Sequence, residues 1–317
     1  MNVSRLIPTA TVAGAVVLGL TALTACSTSD AADHKNGDRL SVVASFYPMQ
    51  FLAEQIGGKH VSVTTLTKPG VEPHDLELTP RQIGGLVDAD YILYLKGIQP
   101  AVDDAIKQSG SKDSVDASTL TRLEDHGTET GADEHGHEHH GDEAGADPHI
   151  WLDPVKYAEV AKGVGKSLEK TDPDHAADYR KNTDALVNKL DALNTAYETG
   201  LKDTTTKTFI TTHSAFGYLA ERYGLTQEGI AGIDPEAEPS PARIGEIHTV
   251  AKKNKVTTVF FETLASDKTA KTLAQDTGLK TGVLDPLEGI TAKSKGDNYF
   301  EVMQSNLAAL QKALGAK

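Results

Sequence analysis

From Leu40 onward, short β-branched runs alternate with stretches of helical character, and this alternation limits the chain to few architectures. Residues 40–45, 61–66 and 91–95 have the composition of strands. Between and after them, residues 48–56 read as a helix with proline in its first turn. Residues 79–88 start with Thr-Pro, a capping residue followed by a proline-tolerant position, and residues 101–109 form a third helix. A strand–helix–strand order of this kind predicts a parallel sheet with helices on its faces. After residue 203 the pattern recurs: strands over 208–211, 228–233, 257–261 and 281–284, and helices over 215–223, 242–254, 268–277 and 298–314. Between the halves lie a helix over 155–170 and a longer one over 172–202. Leu186, Leu190, Leu193 and Tyr197 keep a helical stripe along the longer one. At 1.5 Å per residue it spans roughly 45 Å, enough to cross a protein of two lobes. The expected fold is α/β: a first lobe over 40–171, a linking helix over 172–202 and a second lobe over 203–317. A length of 317 residues suits two such units better than one.

Three segments fall outside this pattern. Arg5, an apolar stretch over 6–23 and the ending Leu23-Thr-Ala-Cys26 read as an export signal over residues 1–25. The ending also resembles a bacterial lipobox, which makes Cys26 the expected lipid anchor to the bilayer. Residues 26–39 are polar and read as a flexible tether. Residues 124–147 hold nine acidic residues, five histidines and no Lys or Arg, so they read as a disordered insert within the first lobe.

Charge and cysteine content narrow the chemistry. The formal net charge is −14, which argues against nucleic acid as a partner. One cysteine excludes thiolate metal sites within a chain, so a metal would have to be held by imidazole and carboxylate. Four loop positions beyond or between predicted elements carry such groups: His74, His149, His213, and either Asp285 or Glu288. Ligands of open α/β sheets bind in such places. Two of the positions lie in each half, so they can meet in a cleft. Three imidazoles and a carboxylate form a tetrahedral set suited to Zn²⁺. Within the insert, His126, His135, His137, His139 and His140 offer weaker accessory metal binding on a flexible chain. His60, His175, His248 and His34 read as structural or idle. Trp151 reads as packing behind the site, and Glu236 and Glu238 as partners for a ligand imidazole.

Five segments carry a family resemblance: Glu72-Pro-His-Asp-Leu-Glu-Leu-Thr-Pro80, Asp147-Pro-His-Ile-Trp-Leu-Asp-Pro154, Thr212-His-Ser-Ala-Phe-Gly217, Gly232-Ile-Asp-Pro-Glu-Ala-Glu-Pro-Ser-Pro241 and Leu284-Asp-Pro-Leu-Glu-Gly289. In this order, with the lipobox and the acidic His-rich insert, the chain from Leu40 to Lys317 resembles the zinc- and manganese-binding lipoproteins of bacterial ABC importers, of the ZnuA, AdcA and TroA type. The resemblance implies two (β/α)4 lobes joined by one rigid helix, with the metal site in the interlobe cleft. It carries the metal role onto His74, His149 and His213. Glu288 is the favoured fourth ligand and Asp285 the alternative. It further implies a monomeric, non-enzymatic carrier on the outer face of the cell membrane, delivering metal to a membrane permease. Imidazole at the third position favours Zn²⁺ over Mn²⁺. A zinc hydrolase is the rival from another class, but the sequence has no His-Glu-x-x-His helix.

Overall fold

In the computed structural model, which describes residues 39–109, 113–126 and 146–316, the alternation resolves into two four-stranded parallel sheets. The first contains β1 (Leu40–Ala44), β2 (Val61–Thr65), β3 (Tyr91–Tyr94) and β4 (Ser114–Asp116) in the order β2-β1-β3-β4. Its connections carry α1 (Tyr47–Gly57), α2 (Pro80–Asp88) and α3 (Pro100–Ser109). Central β1 pairs on both sides, Val42 lying opposite Val63 of β2 and Tyr91 of β3. The second sheet has the equivalent order β6-β5-β7-β8, from β5 (Thr208–Thr211), β6 (Thr226–Gly229), β7 (Thr258–Phe261) and β8 (Lys280–Val283). Its helices are α6 (Gly217–Arg222), α7 (Pro241–Lys253), α8 (Lys268–Thr277) and the terminal α9 (Tyr299–Leu314). Between the sheets run α4 (Pro154–Thr171) and α5 (Ala176–Leu201).

Period-two burial gives each sheet two apolar faces. Val42 and Ala44 of β1 join a large central core, whereas Val43 between them joins a small outer cluster with Ile92 and Val102. In β5, Phe209 faces the central core and Ile210 an outer cluster with Val259 and Leu273. The central core is continuous across both halves, from Phe46 and Met49 through Trp151, Tyr157 and Tyr197 to Phe216, Tyr299 and Leu310. Helix α5 packs on α1, α4 and α9.

Several expectations shift. The linking helix opens with a 3-10 turn at Pro173–His175, so α5 starts at Ala176. The Asp172 carboxylate accepts from His175 Nδ1 and the Tyr179 hydroxyl at 2.7 and 2.6 Å, and no side chain caps the first turn of α5. Strand β4 was not expected, and β6 begins two residues earlier than the apolar pattern indicated. Both are sheet edges, where polar residues such as Ser114 and Gln227 can pair without burial. The insert expected to be disordered over 124–147 is anchored at both described ends, since Asp147 N–H donates to the Glu124 carbonyl at 2.9 Å. His60 and His175 are not idle: their rings stack at 3.8 Å, and His60 Nε2 lies 2.7 Å from Asp178. Cys26, His135, His137, His139 and His140 lie outside the described residues, as do the signal segment and most of the tether and insert.

Candidate metal centre

Each of the four candidate donors sits on a segment pinned by its own neighbours. His74 lies between β2 and α2, in a loop whose far end is fixed by a capping box. Gln82 N–H donates to Thr79 Oγ1, and Thr79 N–H donates back to Gln82 Oε1. Gln82 Nε2 also reaches the Leu66 carbonyl at 2.8 Å, closing the loop on itself. His149 follows Pro148 and precedes α4. Asp147 Oδ1 accepts both its backbone N–H at 2.9 Å and its ring Nδ1–H at 2.8 Å. His213 leaves the C-terminal end of β5, and its Nδ1–H points to Glu262 Oε1 at 2.6 Å, just beyond β7. Glu288 lies beyond β8 in a loop where Leu287 adopts a left-handed conformation, φ 60°. That conformation costs roughly 1–2 kcal/mol. It is held by Asp285 Oδ1, which accepts the Leu287 N–H at 2.9 Å, and by Trp151 Nε1, which donates to the Pro286 carbonyl at 2.7 Å.

These restraints bring His74, His149, His213 and Glu288 together, with one donor atom from each within 4.8 Å of all the others. Glu288 Oε1 lies 3.6 Å from His74 Nε2 and 3.4 Å from the Nε2 atoms of His149 and His213. Zinc bonds of about 2.0–2.2 Å imply tetrahedral edges of roughly 3.3–3.6 Å. The spacing therefore matches the edges of a zinc tetrahedron, whereas N–H···O hydrogen bonds favour about 2.9 Å. All three Nε2 atoms and both Glu288 oxygens are buried without a hydrogen-bond partner. Buried polar atoms rarely go unsatisfied, and a cation at their centre satisfies them together. Because a carboxylate only accepts, Asp147 and Glu262 fix the proton on Nδ1 and leave each Nε2 lone pair facing inward.

The electrostatics reflect this crowding. Burial disfavours a charged His149, but the Asp147 and Glu288 carboxylates outweigh it and raise its pKa. Burial acts the same way on His213, and Glu262 and then Glu288 overcome it by a wider margin. Burial would raise Glu288, yet the three imidazoles hold it well below the usual carboxylate range. Nearby Glu72 is pushed up to about 9, by burial first and Glu288 second, so it is protonated at neutral pH.

Asp285, the alternative fourth donor, is turned toward its own loop: it accepts from Leu287 and from the Thr263 hydroxyl at 3.1 Å. Trp151 packs behind the site, its ring 5.1 Å from that of His149. Glu236 and Glu238 are exposed, and the role expected of them falls to Asp147 and Glu262. Asp147 stands two residues before His149 in the Asp147-Pro-His segment. Glu262 stands alone after an apolar strand, and its one signal in sequence is a carboxylate at a strand's C-terminal end. His126 is apart from the cleft. It bonds Asp147 Oδ2 through Nδ1 at 3.0 Å and Glu221 Oε2 through Nε2 at 2.7 Å.

Comparison with known proteins agrees with this arrangement. Residues 42–313 match the family described as "Zinc-uptake complex component A periplasmic". The chain is 40% identical over 295 residues to the high-affinity zinc uptake system protein ZnuA of Bacillus subtilis, covering 92% of each. It is 37% identical to the zinc-binding lipoprotein AdcA of Streptococcus pneumoniae, covering 91% of this chain but 58% of that protein, so it spans under two thirds of that relative. Among solved structures, the Zn(II)-bound ZnuA-like domain of S. pneumoniae AdcA superposes with a TM-score of 0.72 at 34% identity, over 87% of this chain and 99% of that one. With two parallel four-stranded sheets and a His₃Glu cluster where they meet, the chain belongs to the ZnuA family of zinc-uptake proteins.

Proposed function

We propose that this protein is an extracytoplasmic zinc-binding protein that captures Zn²⁺ through His74, His149, His213 and Glu288 and delivers it to the permease of an ABC importer. The observation that carries the reading is the set of four convergent, buried and unpartnered donors at tetrahedral spacing. Three imidazoles and one carboxylate suit zinc, whereas a manganese carrier is better served by a set richer in oxygen. Four protein donors complete a tetrahedron, which supports carriage over hydrolysis, since a catalytic zinc keeps a position open for water. Relatives named as zinc uptake proteins and zinc-binding lipoproteins support the same assignment. The sequence around Cys26 supports a lipid anchor on the outer face of the membrane. One chain supplies every donor, which supports a monomer. The two sheets and α5 support a division into a first lobe over 40–171, a linking helix over 172–202 and a second lobe over 203–317.

Competition titration of zinc against a chromophoric chelator tests the reading on His74→Ala, His149→Ala and His213→Ala. Each variant is expected to lose the tight equivalent. Unchanged affinity in all three would overturn the assignment.

A further inference from the structure

Asp147 orients two imidazoles. Its Oδ1 accepts the Nδ1–H of His149, and its Oδ2 accepts the Nδ1–H of His126. A carboxylate that holds Nδ1 and frees Nε2 is the usual outer partner of a metal-bound histidine. For His149 the freed nitrogen faces the cleft. For His126 it faces a different place, where Glu221 Oε2 lies 2.7 Å away and Glu124 brings a second carboxylate, the three donor atoms all lying within 4.8 Å.

The site is assembled from both halves of the molecule: Glu124 and His126 follow β4, and Glu221 projects from α6. The His126 ring stands edge-on against Tyr218, with centroids 4.3 Å apart. Gly217 leaves room for it, since a Cβ at that position would run into the His126 side chain. Glu124 also accepts from Lys156 Nζ at 2.8 Å, so among the described residues only one of the two neighbouring carboxylates has a lysine to offset it.

We propose that Glu124, His126 and Glu221 form a second zinc site, separate from the His74, His149, His213 and Glu288 cluster and completed by water. A proton held between His126 Nε2 and Glu221 Oε2 occupies the place the cation would take, and loading releases it. With three protein donors, and Glu221 61% exposed, this site binds more weakly than the buried one. Its partner in function is the neighbouring site, because both rest on the same Asp147 carboxylate.

The test is zinc-edge anomalous diffraction from crystals of the full chain in excess zinc, paired with equilibrium dialysis, on the wild type and Glu221→Gln. The exposed Glu221 can change to glutamine without disturbing the core. The expected wild-type result is two peaks, one of them about 2.0–2.2 Å from His126 Nε2 and from oxygens of Glu124 and Glu221. In Glu221→Gln that peak is lost, dialysis shows one zinc fewer per chain, and the peak at Glu288 persists. A wild-type peak at Glu288 alone would overturn the second site and leave the first intact. So would a peak at His126 that survives Glu221→Gln, or one whose coordination a neighbouring molecule completes, which would mark an adventitious ion only.

Discussion

At the scale of single residues, the chemistry depends on carboxylates that touch no metal. Glu262 and Asp147 each hold an Nδ1 proton, and each also raises the pKa of its imidazole against the opposing effect of burial. A raised pKa keeps the imidazolium populated to higher pH, and zinc has to displace that proton. Affinity is therefore full above the raised values and declines as pH falls through them, in a window above the ordinary histidine value of about 6.5. Glu262→Gln removes the larger of the carboxylate influences on His213. Titration of zinc across pH should then show the decline moved to lower pH, with affinity at high pH reduced by about 10–100-fold. An unmoved profile would mean that Glu262 neither charges nor orients the ring. The candidate donors were legible in sequence through the motifs around them, with proline beside His74 and His149, whereas Glu262 was not, because a lone carboxylate after Phe260-Phe261 carries no local signature. The preference for Glu288 over Asp285 comes from the family resemblance, and the left-handed turn at Leu287 supports it by directing one carboxylate inward and the other to its own loop.

At the scale of elements, α4 and α5 form the spine, and their contact depends on Gly165. A Cβ there would run into the Thr183 hydroxyl, which itself donates to the Tyr179 carbonyl at 2.8 Å. Gly165→Ala is expected to destabilise the fold by about 1–3 kcal/mol through overpacking, despite alanine's better helix propensity. Thermal melting should reveal the loss, and zinc affinity measured well below the transition should be unchanged. A melting point equal to wild type would show that the helices part easily. The helices were legible because their starts carry capping residues: Thr79 and Asn298 accept a backbone N–H at a predicted start, and Asp153 and Ser240 do so two residues before one. Strands β4 and β6 were missed or displaced because edge strands take their stability from pairing, and their side chains need not be apolar.

At the scale of the whole molecule, the alternation in sequence separates two lobes but does not show how firmly they are joined. The joint is a shared apolar core, reinforced by hydrogen bonds that cross it. Tyr299 donates to the Trp151 carbonyl, Tyr218 to the Asp147 carbonyl, and Arg222 grips Asp153 with Nε and Nη2. Such contacts are long-range in sequence and leave no pattern in it. They predict that the lobes move little on loading, and small-angle scattering should give the same radius of gyration with and without zinc. A measurable contraction would show a hinge that this core does not allow. The Trp151–Pro286 bond has a further, kinetic consequence. It ties the segment after His149 to the loop that presents Glu288, so the donors of the two lobes cannot separate without breaking core contacts. Loss of bound zinc is then expected to require deformation of the shared core, so exchange against an excess of chelator should be slow, and rapid exchange would show that the donors separate without it.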